Sequence, residues 1–68
     1  MRHILKLIKT IYDRKVIDIA VKDYGNIAEI RVYEDDLYFI TEFNKCIIDP
    51  ERVKKEFANY VIGSMGKN

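Results

Sequence analysis

Apolar and polar positions divide the chain into five segments. Over residues 2–14, placed at 100° per residue, Ile4, Leu5, Leu7, Ile8, Ile11 and Tyr12 share one arc. Arg2, His3, Lys6, Lys9, Thr10, Asp13 and Arg14 fill the opposite side. This predicts an amphipathic helix with a basic outer face. It should stop near Arg14, because Lys15 would fall inside the apolar arc. Val16–Lys22 and Ile27–Tyr33 read as two alternating strands around Gly25-Asn26. Gly-Asn suits a two-residue hairpin loop, since both residues tolerate positive φ. That loop would set Val21 against Ile30, Ile19 against Val32, Ala20 against Arg31, Lys22 against Glu29 and Tyr24 against Ile27. Apolar pairs then share one side and an opposite-charge pair sits on the other, so a slip of one residue would spoil both faces.

Glu34-Asp35-Asp36 reads as a turn, since Asp is a favoured turn residue and the spaced ligands and glycine of a calcium loop are missing. Leu37–Phe43 predicts a third strand, antiparallel to the second. Leu37, Phe39 and Phe43 lie on one face, and Tyr38, Ile40 and Glu42 on the other. Asp49-Pro50-Glu51 opens a final helix: a capping carboxylate, a proline at the first helical position and a negative charge in the first turn. The helix should run to Ile62 with Gly63 as its stop. Val53, Phe57, Tyr60 and Val61 form its buried stripe, and residues 64–68 a frayed tail. The expected fold is α+β: helix, three-stranded antiparallel meander, helix (α-β-β-β-α), one small domain over residues 1–63.

Ile17, Ile19, Val21, Ile30, Val32 and Phe39 are expected to face the helices. The other sheet face collects Tyr24, Arg31, Tyr33, Tyr38 and Ile40, with Asp18, Lys22, Glu29 and Glu42 around them. With both helices on one side, the arrangement we favour, that face is an exposed patch of the kind that marks a contact site. With the helices split across the sheet it is core. The pattern leaves both open.

Length sharpens the question. A 68-residue chain buries only about 60% of its unfolded surface, so a partner chain can supply missing core. The net charge of +1 gives no overall bias toward nucleic acid or membrane. By segment, residues 1–15 carry five basic groups and one acidic, residues 16–49 three and eight, and residues 50–68 four and two. The single cysteine, Cys46, suits a reducing compartment. The chain start does not read as a signal peptide, and no run approaches the roughly 18 apolar residues of a membrane span. A cytoplasmic location is expected.

No Ser/His/Asp set, phosphate loop or metal spacing appears, so no enzyme, cofactor or metal is expected. His3 lacks a second histidine and reads as structurally idle. Cys46 reads as a small buried hydrophobe; a nucleophilic thiolate would need a base partner. Two binding classes remain. One is a protein-binding module, an inhibitor, adaptor or homodimer using the Tyr/Ile/Arg face, where tyrosine and arginine suit binding hot spots. The alternative is a nucleic-acid-binding domain using basic helix faces and sheet aromatics, although the net −5 of residues 16–49 repels phosphate. Through Ile4–Ile11, Ile17–Lys22, Ile27–Val32, Leu37–Ile40 and Val53–Val61, the expected element order resembles a small family of phage-encoded anti-CRISPR proteins that block a CRISPR nuclease. The resemblance lies in element order, with no shared motif. It implies a small inhibitor of the phage or mobile-element type; that family is strongly acidic, whereas this chain is nearly neutral.

Overall fold

The chain enters as a strand. In the computed structural model, which describes residues 3–65, His3–Ile8 is strand β1, where residues 2–14 were expected to be helical. Arg2, the expected helix start, lies outside the described residues. His-Ile-Leu-Lys-Leu-Ile satisfies both periods, and periodicity alone does not assign so short an apolar run. Pairing decides it: β1 lies antiparallel to a later strand, with His3 opposite Phe43 and Ile8 opposite Tyr38.

The segment expected to be the first strand of a hairpin is helical. Arg14–Asp23 is α1. Asp13 caps it, its Oδ1 accepting the Lys15 N–H at 2.9 Å. Arg14 and Asp18 pair one turn apart at 2.9 Å. Ile17 and Ala20 are fully buried, with Val16, Val21 and Tyr24 packed beside them, which is helical spacing. Ile19, expected in the core, is 58% exposed. The Gly25-Asn26 hairpin and its register are therefore replaced. Both residues lie in the turn that leaves α1, where Gly25 N–H bonds to the Lys22 carbonyl at 3.3 Å. No described glycine takes a positive φ; the residue that does is Lys45, at 51°.

Glu29–Glu34 (β2) and Tyr38–Asn44 (β3) pair antiparallel, with Glu34 opposite Phe39. The acidic triplet makes the turn between them: Asp35 Oδ1 accepts from Leu37 N–H at 2.8 Å and Tyr38 N–H at 2.7 Å. The sheet order is β1-β3-β2, with the last strand in the centre. The α+β class, the three antiparallel strands and the two helices are as expected. The element order is β-α-β-β-α, and the sheet is not a meander, because β1 lies beside β3 and not beside β2, the next strand in sequence. Pro50–Met65 is α2. Asp49 caps it, accepting Glu51 N–H at 3.3 Å and, through its carbonyl, Val53 N–H at 3.0 Å. The helix continues through Gly63, so Ser64 and Met65 are helical, not a tail; Met65 packs on the core beyond the glycine. Residues 66–68 of the expected tail lie outside the described residues.

Both helices cover the same sheet face. Phe39, Thr41 and Phe43 of β3 meet Ile17 and Ala20 of α1 and Val53, Phe57 and Val61 of α2 in one buried layer. The Phe57 ring sits edge-on to Phe43 at 5.2 Å and to Tyr24 at 5.5 Å. The one buried polar side chain among the described residues, Thr41, donates to the Leu5 carbonyl at 2.8 Å, so it carries no unpaired group into the core.

Two stability predictions follow from this geometry. Asp13→Ala and Asp49→Ala should each lower stability by about 0.5–2 kcal/mol through loss of a cap, read from urea midpoints. Lys45→Gly should raise it by about 0.5–1 kcal/mol, since relief of a left-handed non-glycine residue exceeds the added freedom of the unfolded glycine; a lowered midpoint would contradict this.

Candidate contact surface

With both helices on one side, the side chains of opposite parity form an open face. Three rows cross it in register: Ile8–Tyr38, Lys6–Ile40–Tyr33 and Ile4–Glu42–Arg31, with Asn44–Glu29 at one end. Four of the five residues expected to form a contact surface meet here: Arg31, Tyr33, Tyr38 and Ile40. Tyr33 lies directly opposite Ile40 and is 49% exposed. Tyr24 does not join them. It ends α1, on the other side of the sheet, with its ring edge-on to Phe57 and Tyr60. Its assignment to the open face rested on the hairpin that the helix replaces. Ile4, Lys6 and Ile8 belong to the face but were assigned to a helix. The alternation of Leu5-Lys6-Leu7, flanked by the β-branched Ile4 and Ile8, was the signal that could have found them.

The charges on this face are balanced and locally paired. The Lys6 ammonium lies 5.6 Å from the centroid of the Tyr38 ring, a cation–π contact. Arg31 Nη2 approaches Glu29 at 3.5 Å, and Asn44 donates to Glu42 at 3.4 Å. The Arg31 pKa is pushed up, chiefly by the Tyr33 hydroxyl and then by Glu29, so the guanidinium stays charged. Two cations and two carboxylates around Tyr33, Tyr38, Ile4, Ile8 and Ile40 make an amphipathic surface without a net field. The first helix that was to present Lys6 and Lys9 to phosphate does not exist; Lys6 is on the sheet.

Elsewhere, Glu34 is held between Lys9 and Arg14, each at 2.8 Å, on the helix side of the sheet end. Tyr60 donates to Asp23 across the helix pair. His3 Nδ1 lies 3.6 Å from Glu51. Cys46 is half-buried against the core. An open cleft of about 450 Å³ runs beside the start of β2, lined by Val21, Ile27, Ala28, Ile30 and Ile47. Among the described residues, no three His, Cys, Asp or Glu side chains converge to hold a metal, and no helix is long and apolar enough to cross a membrane.

No known family model, curated protein or solved structure matches the chain. The element order on which the likeness to anti-CRISPR proteins rests is also not the observed one, since Ile4–Ile8 is strand and Ile17–Lys22 is helix.

Acid should weaken the fold at the β2–β3 turn. Glu34 is pulled below its ordinary pKa, mainly by its hydrogen bond to Lys9, and Asp35 below its own by the Leu37 and Tyr38 amides. A depressed folded-state pKa adds stability that is full above the unfolded-state value and is lost as pH falls through the folded one. Urea midpoints should therefore fall between neutral pH and pH values below the ordinary carboxylate range. Asp35→Asn, whose amide oxygen can still accept from the turn, should reduce that acid sensitivity; an unchanged pH dependence would show that Asp35 does not contribute to it.

Proposed function

We propose that this protein is a small non-enzymatic binding module that occludes a partner protein's surface with the open face of its sheet. The observation that carries the reading is the one-sided packing. It leaves Ile4, Tyr33, Tyr38, Ile40 and Arg31 together on a face that, among the described residues, no element covers. Tyrosine supplies broad apolar area with a polar edge, and Arg31 can meet a carboxylate or stack on a ring. An inhibitor or adaptor, as small phage and mobile-element proteins are, fits such a surface. The free thiol Cys46 suits a reducing compartment, and we place the protein in the cytoplasm.

The balance of Lys6 and Arg31 against Glu29 and Glu42 favours a protein over a nucleic acid. Phosphate contacts draw affinity from uncompensated cations.

The test is Tyr33→Ser combined with Tyr38→Ser. Both side chains lie outside the helix-covered core, so the double variant should keep its circular dichroism spectrum. The immobilised parent should retain a protein from source-cell extract, and the folded variant should not. Equal retention by both would move the contact surface off this face. Loss of the fold would place the tyrosines in the structural core.

A further inference from the structure

The two edges of the sheet differ in how they are defended. In an antiparallel pair, hydrogen-bonded positions recur at every second residue. The Lys9 N–H bonds to the Leu37 carbonyl at 2.8 Å, which sets the phase: Leu7 and Leu5 exchange bonds with Phe39 and Thr41. The backbone groups of Ile4 and Lys6 therefore point away from the sheet. The Ile8 carbonyl is taken by the amides of Ile11 and Tyr12, so the open stretch is Ile4–Lys6. On the other edge, β2 carries Glu29, Arg31 and Glu34, and the Ile47 N–H crosses to the Ile27 carbonyl just before its start. Charged residues of this kind discourage edge pairing. β1 carries one lysine in a run of Ile and Leu.

We propose that β1 pairs antiparallel with β1 of a second copy of this chain, joining two three-stranded sheets into one of six strands. A two-fold axis through Leu5 fits the sequence best. Leu5 then opposes its own counterpart on the helix side, and Leu7 opposes His3. On the open face Lys6 opposes Ile4, in both directions. An axis at Lys6 would instead oppose two lysines directly, which is unfavourable. The Leu5 register also matches charge. Each row becomes Arg31–Glu42–Ile4 from one copy followed by Lys6–Ile40–Tyr33 from the other, with the second copy's lysine reaching across Ile4 toward Glu42. The interface is isologous and closes at two copies. α2 packs against β1. Tyr60 points from α2 to Asp23 of α1. Ala58 and Ile62 lie about 200° around the helix from Tyr60, so they turn toward the new neighbour. Ile62 is 54% exposed in the monomer.

Light scattering and sedimentation on the full chain test this. The parent should reach twice the chain mass as concentration rises; a monomer at every concentration overturns the proposal. Ile4→Lys sets a lysine against Lys6 of the second copy twice over and should weaken the dimer by about tenfold while the circular dichroism spectrum is kept. Adding Lys6→Glu to that variant should restore it, since each lysine then opposes a glutamate. A folded Ile4→Lys that dimerises like the parent overturns the edge, and a folded double variant that stays monomeric overturns the Leu5 register. Lys6→Pro removes an N–H that the monomer's own ladder does not use and should also abolish the dimer. Tyr33→Ser with Tyr38→Ser should keep the dimer. If that variant is folded and monomeric, the second copy sits on the sheet face and the edge proposal fails.

Discussion

The structure depends on one aromatic junction. Phe57 of α2 is fully buried and meets Phe43 of the central strand edge-on, while on another side it meets Tyr24 at the end of α1. Sheet, first helix and second helix are thus tied at a single ring. A chain of this length has little surplus burial, and edge-on aromatic pairs add roughly 0.5–1.5 kcal/mol beyond their area. Loss of the ring would leave each helix with only its narrow aliphatic stripe against the sheet.

That junction also explains why the layers are one-sided. Tyr24 and Tyr60 carry α1 and α2 into direct contact, and the Tyr60–Asp23 bond closes the pair. Two helices in contact cannot straddle a three-stranded sheet. They share one face, and Phe39, Thr41 and Phe43 of the central strand are buried beneath them. The other face is left with alternating residues that are half apolar and half charged. Its tyrosines and isoleucines lie side by side, while its paired ions hold its net charge near zero. Such a face suits contact with another protein surface that is itself partly wet.

The placement of β3 in the centre has a further consequence. Both remaining strands become edges. The later one is guarded by charge, and the earlier one is apolar. The face and the β1 edge are separate surfaces that share Ile4 and Lys6. A pairing at the edge would double the area of the face without altering its chemistry.

The sequence by itself determined most of the second half of the chain. It did not determine the end of α2, which runs through the Gly63 expected to stop it, nor the place of Tyr60, expected to be buried and found exposed. The Asp35 turn, the faces of β3, the antiparallel β2–β3 pair and the cap of α2 at Asp49 are all local: each depends on contacts between near neighbours or on unbroken alternation. Arg31, Tyr33, Tyr38 and Ile40 were legible for the same reason, since they lie on those strands. The first half was decided by tertiary contacts. Residues 3–8 satisfy helical and strand spacing alike, and only the pairing of Leu5 and Leu7 with Thr41 and Phe39, far along the chain, selects the strand. Residues 14–23 hold Asp13 as a cap and buried positions at helical spacing. The apolar pairs available to a Gly-Asn hairpin compete with that signal until the packing of Ile17 and Ala20 against α2 and the sheet selects the helix. Tyr24 followed the helix into the core, and Ile4, Lys6 and Ile8 followed the strand onto the open face. Non-local burial outweighs local pattern wherever two periods fit a short segment equally well.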